Sequence, residues 1–197
     1  WGGRLKTCEM GSEFGVTTLL LPEALFERHA LDLNPKPLEL LAQAAGRLGQ
    51  TVKTHQRDMF QTGWPNGMFH LVFNNGVLEH YNRAQRVAAL KECARITKPH
   101  GFVVVGVPNH FSIPYRCGYL LRRMLGKWHY PPEEKIRDFS GELEQVTNLQ
   151  HHRTLFFDQE SVFRILPRHT VTALPFRFLH LWLRFQPYLR VLEMKVR

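Results

Sequence analysis

The sequence predicts an α/β fold in which a mostly parallel sheet carries helices on both faces. Strand-like segments alternate with helix-like segments through the first 109 residues, which is typical of successive βαβ units. The chain has 197 residues, the length of one domain, and 44% of them are hydrophobic, which is enough to form a core. We therefore expect a single domain over residues 1–197.

The first five strands and the helices between them follow from two periodicities. Alternating or continuous apolar runs predict strands, and apolar residues at i, i+3, i+4 and i+7 predict helices. The predicted strands are residues 4–10, 29–33, 51–57, 69–73 and 102–107. The predicted helices are a short mixed segment at 16–27, interrupted at Pro22, then 37–48, stopped by Gly49, and 83–96, ended by residues 99–101.

The pattern weakens after Asn109. Residues 115–125 indicate a helix, 127–138 a polar loop, 158–166 a helix capped by Asp158, and 169–178 a strand. The tail at 179–196 mixes aromatic residues, leucines and arginines and is broken at Pro187. It is consistent with closing strands of the sheet, a partner-facing helix or an interfacial segment, and we favour core or oligomer contact.

The charge balance is basic but not specific. The formal net charge is +9, and 14 basic and 8 acidic side chains follow residue 109, against 12 and 9 before it. A solvated surface explains such an excess, as does an anionic small substrate, a membrane surface or nucleic acid.

The three cysteines and the apolar runs indicate a soluble, cytoplasmic protein. A disulfide framework needs an even and larger number of cysteines than the three present, Cys8, Cys93 and Cys117. No run approaches the roughly 20 apolar residues of a membrane span. The first strand begins almost at once, so we also expect either a trimmed amino end or a missing portion that is disordered.

Polar residues and glycines follow each predicted strand of the first half. A parallel sheet binds its ligand beyond the carboxyl ends of its strands, so these positions should lie together. The turn after the first strand has Gly11 and Gly15, where the backbone can approach a ligand. Asp32 is placed to accept hydrogen bonds from two ribose hydroxyls, and Asp58 from an adenine amino group. The series describes a pocket for an adenosine-bearing cofactor.

Five blocks of this sequence resemble the class I S-adenosylmethionine-dependent methyltransferases, specifically the small-molecule, type 11/12-like group. The glycine turn EMGSEFG at residues 9–15 is similar to their first motif, E-x-G-x-G-x-G. Asp32 and Asp58 match their two acids, and FHLVFNNGVLEHY (69–81) and LKECARITKPHGFVVVGVPN (90–109) match their fourth and fifth blocks. The resemblance covers roughly residues 5–110 and implies a Rossmann-like, doubly wound, seven-stranded sheet with S-adenosylmethionine as cofactor.

The resemblance also implies roles for individual residues. Glu9 would stabilise the turn near the methionine amino group, and Asn74 would receive that amino group through its carbonyl. Asp32 would hold the ribose hydroxyls, and Leu33 would pack on the adenine. The remaining cofactor residues would be Gly11, Ser12 and Gly15 along the methionine and ribose, and Asp58 and Met59 around the adenine.

Two positions depart from the family pattern. Glu13 stands where the middle glycine of the turn is expected, and a side chain fits there if it points away from the cofactor and φ is negative. His70 replaces an aspartate at a position that is more structural than catalytic. We interpret the turn as a cofactor loop with one unusual residue.

His80 is the candidate catalytic residue. The sulfonium of the cofactor supplies an activated methyl group, so the protein mainly aligns the reactants, and an oxygen or nitrogen nucleophile can also need a base. A capping or packing role for His80 is an equal alternative. We predict no metal, because the ubiquinone-type enzymes that resemble this block have another carboxylate three residues before the Glu-His pair, where this chain has Gly76. The pair His151 and His152 reads as a solvated loop without a carboxylate partner.

The sequence predicts the methyl acceptor less directly than the cofactor. Residues 111–150 are expected to cover the substrate, and the basic segment 115–127 suits a phosphorylated, carboxylated or lipid-linked molecule or is an ordinary surface helix. We favour methyl transfer to a small-molecule or lipid-linked acceptor, with O-methylation slightly preferred. The alternatives are a non-catalytic cofactor-binding protein and an RNA-associated methyltransferase, although NNGV at 74–77 lacks the tetrapeptide used for methylating base amino groups.

Overall fold

The computed structural model describes residues 3–157 and 189–197. These residues form seven strands: β1 (Leu5–Met10), β2 (Phe26–Asp32), β3 (Lys53–Gln56), β4 (Phe69–Asn75), β5 (Thr97–Pro108), β6 (Leu149–Phe157) and β7 (Leu189–Val196). The helices in the same parts of the chain are α1 (Val16–Leu20), α2 (Pro35–Arg47), α3 (Arg83–Ile96), α4 (Ile113–Met124) and α5 (Ser140–Leu143), with a 3₁₀ turn at Leu78–His80.

All seven strands belong to one sheet, in the order β3-β2-β1-β4-β5-β7-β6. Neighbouring strands from β3 to β5 are parallel, whereas β7 pairs antiparallel with both β5 and β6. The chain order reverses direction between β1 and β4, where the connections diverge to opposite sides. This divergence opens the crevice in which doubly wound folds bind ligands. The prediction of a mostly parallel seven-stranded sheet is confirmed.

Helices cover both faces of the sheet. Successive side chains of a strand point to opposite faces, so each buried strand supplies apolar side chains to both. Ala30 packs with Leu38 and Leu41 of α2 on one face, whereas its neighbour Leu31 belongs to the larger cluster on the other face. That larger cluster includes Leu90 and other buried residues of α3. Strands β1–β2–β3 and β4–β5 progress in opposite directions across the sheet. Right-handed crossovers between them therefore put the connecting helices α2 and α3 on opposite faces.

Local signals set the ends of the two longest helices of the first half. The Asn34 side chain accepts a hydrogen bond from the Lys36 backbone amide at the start of α2, and Gly49, with φ of 65°, follows its end. Asn82 and Gln85 form a reciprocal capping box at the start of α3. Both helices lie within two residues of their predicted starts.

The structure differs from the sequence prediction in several places. The mixed segment predicted at 16–27 is helical only at Val16–Leu20, and its last two residues already belong to β2. The short helix α5 was not predicted. Residues 99–101 were expected only to end a helix, but they lie within β5, which begins at Thr97, and the ladder between β4 and β5 is irregular there. The prediction contained no strand over Leu149–Phe157, yet β6 pairs along its length with β7. This edge strand is held by backbone hydrogen bonds and carries polar residues, so its apolar alternation is weak.

The predicted helix at 158–166, the predicted strand at 169–178 and the first part of the tail lie outside the described residues. The last part of the tail, Leu189–Val196, is β7. Among the described residues, no helix has the length and apolar composition needed to cross a lipid bilayer.

Candidate active site

A cavity of about 770 Å³ opens at the carboxyl ends of β1, β2, β3 and β4. Its volume lies within the roughly 300–1,000 Å³ that is usual for small-molecule sites. It is lined by residues 9, 11–17, 31–34, 57–60, 75–77, 80, 81, 130 and 131. Asp32 and Asp58 therefore face one shared space, and the crevice between them is open.

The turn after β1 depends on its two glycines. Both adopt left-handed φ angles, 68° at Gly11 and 62° at Gly15. A Cβ atom on Gly15 would lie 2.4 Å from Leu41 Cδ2, and one on Gly11 would lie 3.1 Å from Val77 Cγ1. The turn is thus pressed between α2 and the segment after β4, and only glycine fits at position 15.

Glu13 adopts a positive φ of 46°, so the expectation of a negative φ at this position is wrong. The left-handed conformation costs a non-glycine residue about 1–2 kcal/mol. Two contacts offset that cost: the Glu13 amide donates to Asp32 Oδ2 at 2.8 Å, and the Tyr130 hydroxyl donates to Glu13 Oε1 at 3.4 Å. The tight turn therefore keeps its shape with a glutamate in place of a glycine.

Glu9 ties the end of β1 to the start of α1. Its Oε2 accepts hydrogen bonds from the Thr18 amide at 3.0 Å and the Thr18 hydroxyl at 2.6 Å. Burial raises the pKa of Glu9, and the bonds from Thr18 oppose that shift. Glu9 borders the cavity, so it holds the turn and also presents a polar group to a ligand.

The two aspartates are oriented by backbone amides. Asp32 accepts from the amides of Glu13 and Asn34, at 2.8 and 2.9 Å, and Asp58 accepts from the Phe60 amide at 2.8 Å. These bonds leave each carboxylate with further lone pairs toward the cavity. Both side chains are therefore held in place before a ligand binds.

An apolar rim surrounds these polar groups. The side chain of Leu33 is 70% exposed and that of Phe14 is 48% exposed, although Met59 on the cavity wall is buried. Exposed apolar side chains at a concave site are explained if a ligand with an apolar or aromatic face covers them. An aromatic ring meets this requirement, and the packing of Leu33 on adenine, which the resemblance implies, stays a prediction.

Ser12 and Asn74 have different relations to the cavity. The Ser12 hydroxyl is buried in the cavity wall and has no hydrogen-bond partner among the described residues, so it can bind a polar ligand atom. Asn74 is also buried without side-chain partners, but it lines a second, apolar cavity of about 260 Å³. The next residue, Asn75, borders both spaces.

His80 ends the 3₁₀ turn after β4 and lines the cavity. Its Nε2 is 4.0 Å from Glu79 Oε1, and its buried Nδ1 has no hydrogen-bond partner in the described parts of the chain. The ring stacks loosely on Tyr130, with 6.3 Å between centroids and 21° between planes. An imidazole that lines a ligand cavity is suitably placed to accept a proton.

Residues 127–138, which we call the strap, cross over the 3₁₀ turn. The Glu134 amide donates to the Glu79 carbonyl at 2.7 Å, and the Glu134 carboxylate pairs with Arg86 of α3. Arg86 also pairs with Glu142 of α5 at 2.6 Å. These contacts fix the strap so that Tyr130 and Pro131 form one wall of the cavity.

The carboxyl group of Glu79 is buried beneath the strap, and one of its oxygens has no partner in the described structure. Burial raises its pKa to about 8, and the nearby Glu133 adds to the shift. Glu79, His80 and Glu133 each offer one ligand atom within 4.8 Å of the others, so this group has the composition to hold a metal ion.

Sequence reasoning missed several cavity residues, above all Tyr81 and Tyr130. Tyr81 directly follows the predicted base His80, and Tyr130 stands before two prolines in the predicted substrate-covering segment. These neighbouring positions were the signal that could have indicated both tyrosines as cavity residues. The pair His151 and His152 lies on β6 rather than on a loop, and His152 Nε2 is 3.7 Å from a carboxylate oxygen of Glu193.

Comparisons with known proteins agree with this geometry. A family model described as a methyltransferase domain matches residues 8–105, and no curated protein matches the chain. Magnesium protoporphyrin IX methyltransferase from Synechocystis PCC 6803, solved with bound SAH, is 16% identical with a TM-score of 0.66, covering 98% of this chain and 74% of the other.

Two further solved structures are similar. Geranyl diphosphate C-methyltransferase from Streptomyces coelicolor A3(2), in complex with Mg²⁺, geranyl diphosphate and S-adenosyl-L-homocysteine, is 12% identical with a TM-score of 0.67 and covers 100% of this chain and 76% of the other. A putative sarcosine dimethylglycine methyltransferase from Galdieria sulphuraria is 14% identical with a TM-score of 0.65, covering 98% and 78%. At these identities the likeness establishes the fold.

Proposed function

The chain belongs to the methyltransferase-domain family and is an S-adenosylmethionine-dependent enzyme of the small-molecule type; on that premise we propose that it methylates an oxygen of a small-molecule or lipid-linked acceptor. The observation that carries the proposal is the single cavity that Asp32, Asp58 and His80 share. This observation supports the proposal because groups suited to the cofactor's adenosine and a candidate base would border the same space.

The residues around the glycine turn would hold the cofactor. We assign the ribose hydroxyls to Asp32, the adenine to Leu33, Asp58 and Met59, and the methionine part to Glu9, Gly11, Ser12 and Gly15. The unpartnered Ser12 hydroxyl and the exposed Leu33 side chain support this assignment, because both gain a partner when such a ligand binds. Asn74 would contribute only its backbone carbonyl, next to Asn75 on the cavity wall.

The acceptor would lie in the part of the cavity that is lined by His80 and Tyr130. When bound, S-adenosylmethionine supplies a methyl group on a positively charged sulfur, so no further activation of that group is needed. The chain's own residues align the acceptor and exclude water, which is the larger part of catalysis for such a transfer. We propose that the imidazole of His80, which lines the cavity, accepts the acceptor's proton, and that residues 111–150 cover the acceptor.

Two other possibilities are weaker. Binding of the cofactor without turnover is disfavoured because the chain is a member of an enzyme family. RNA methylation is motivated by the basic half of the chain, but residues 74–77 read NNGV. We also propose a cytoplasmic location, which the three free cysteines support.

Calorimetry with S-adenosylmethionine and S-adenosylhomocysteine tests the cofactor site, and transfer of a radiolabelled methyl group tests the reaction. We expect binding of both cofactor forms and labelling of hydroxylated small molecules or lipids. Absence of cofactor binding to the intact protein contradicts the proposal. Labelling of RNA in preference to small molecules, with affinity that falls steeply with salt, identifies the RNA alternative.

A further inference from the structure

Helix α4 exposes its aliphatic side chains and buries its tyrosines. Ile113, Leu121 and Met124 are 51%, 52% and 84% exposed, and Leu120 is 41% exposed. These residues recur at helical spacing and form one outward stripe. The opposite side buries Tyr115 and Tyr119, each 2% exposed. An aliphatic stripe of this kind on the outside of a helix needs an explanation, because it gains nothing from contact with water.

Arginines flank this stripe. The guanidinium groups of Arg116 and Arg123 lie 5.3 and 5.7 Å from the ring centre of Tyr119, and Arg122 and Lys127 follow at the end of the helix. No aspartate or glutamate occurs between residues 110 and 132. The stripe is therefore bordered by positive charge alone within its own segment.

We propose that the outward face of α4 docks on an anionic lipid bilayer. An amphipathic helix with aliphatic residues on one side and arginines beside them lies in the bilayer interface, with its aliphatic side chains among the acyl chains and its cations at the phosphate groups. Self-association would instead bring two identical positive segments together, which electrostatic repulsion opposes.

The position of α4 connects this surface to the proposed function. The strap follows α4 directly, and its Tyr130 and Pro131 line the cavity. Docking through α4 would bring the cavity wall formed by the strap close to the lipid headgroups, so the acceptor would be lipid-linked. This last step rests on the proposed function, whereas the docking itself does not.

Vesicle flotation tests the docking with the full chain. The probes are vesicles of phosphatidylcholine alone and of phosphatidylcholine mixed with phosphatidylglycerol. We expect binding to the mixed vesicles, weakened by salt, and loss of about tenfold or more of that binding in the double variant Leu121→Ser/Met124→Ser. The double variant Arg122→Gln/Arg123→Gln is expected to reduce binding to the anionic vesicles specifically.

The matched control is Leu40→Ser/Leu48→Ser, which changes two exposed leucines at α2 and should leave vesicle binding unchanged. Because all of the substituted side chains are exposed, thermal unfolding should be similar in each variant. Equal flotation of the α4 variant and the unchanged protein overturns the proposal, as does the absence of any flotation. So does a dimer in gel filtration that the α4 variant dissociates.

Calorimetry with S-adenosylmethionine separates this test from that of the proposed function. The α4 variants should bind the cofactor normally, so a lost vesicle interaction with intact cofactor binding concerns the docking surface alone.

Discussion

The hydroxyl of Tyr130 donates a hydrogen bond to Glu13 Oε1 at 3.4 Å, joining the strap to the turn after β1. The two residues are far apart in sequence, and both line the cavity. The glutamate that departs from the family pattern thus has a structural partner. We infer that it helps to hold the strap over the site.

Glu13→Gly should separate turn geometry from strap closure. Glycine adopts the φ of 46° without strain, so the cofactor affinity should stay the same or increase. The contact with Tyr130 is lost, so kcat/KM for the acceptor should fall by about threefold to tenfold, the effect of one hydrogen bond. Calorimetry and steady-state kinetics measure the two quantities.

The double-mutant cycle with Tyr130→Phe is the control. If the two groups act through each other, Tyr130→Phe lowers kcat/KM in the natural protein but causes no further loss in Glu13→Gly. Fully additive losses would show that the two residues act separately.

Asp32→Ala should weaken cofactor binding by about 1–3 kcal/mol, because hydrogen bonds to a charged acceptor are lost. Calorimetry with S-adenosylhomocysteine measures the change, and Asp138→Ala is the control because Asp138 similarly accepts from a backbone amide, that of Ser140, but does not line the cavity. Unchanged affinity in Asp32→Ala would show that the ribose assignment is wrong.

His80→Ala should lower kcat about 100-fold or more if His80 is the base, while the cofactor affinity changes little. His129→Ala is the matched control, since His129 is an exposed histidine of the strap that does not line the cavity. Equal activity of His80→Ala and the natural protein would return His80 to a packing role.

A chelator distinguishes a free base from a metal ligand. As a free base, His80 needs no ion, so activity should be unchanged after treatment with EDTA. Loss of activity that Mg²⁺ or Mn²⁺ restores would instead assign Glu79, His80 and Glu133 to a metal site.

Gly15→Ala should destabilise the fold by about 2–4 kcal/mol. The added methyl group meets Leu41, and the left-handed φ adds backbone strain. Gly46→Ala in α2 is the control, because nothing lies within 4 Å of its added methyl group, and it should stabilise the helix by up to about 1 kcal/mol. Urea unfolding measures both, and equal stability of Gly15→Ala and the natural protein contradicts the close contact.

Glu79→Gln should change how stability depends on pH. The pKa of Glu79 is about 8 in the folded protein against an ordinary 4.5, so the folded state keeps a proton that the unfolded state loses between these values. The free energy of unfolding of the natural protein should therefore fall, relative to the variant, by on the order of 1 kcal/mol per pH unit as the pH rises from 4.5 to 8.

Glu144→Gln, at an exposed position near α5, is the matched control and should show no such difference. Denaturant unfolding at pH 5, 7 and 8 provides the comparison. A difference between the natural protein and Glu79→Gln that stays constant with pH would mean that Glu79 ionises normally in the fold.

The sequence predicted the structure best where the choice of residue depends on its local conformation or burial. Strands and helices of the first half were predicted because their apolar spacing reports burial directly, as in α2 and α3. Gly15 and Asp32 could be predicted as site residues because a turn at a strand end restricts which residues fit. Their shared cavity was therefore predictable from the sequence.

The remaining site residues depend on contacts between distant segments. Tyr130 lies on a strap that is held by the bonds of Glu134 to the Glu79 carbonyl and to Arg86, and none of these contacts leaves a sequence periodicity. Strand β6 was missed because its edge position is compatible with polar residues. The conformation of Glu13 could not be predicted either, since its partners are Asp32 and Tyr130.

The position of β7 between β5 and β6 has a consequence for the order in which the protein assembles during synthesis. Strand β6 is made before β7, yet among the described residues it joins the sheet through β7. While the ribosome translates residues 158–188, β7, the strand that pairs with β6 in the described part of the chain, has not yet been made. Until β7 emerges, this segment is available to chaperones and to unwanted pairing with other nascent chains.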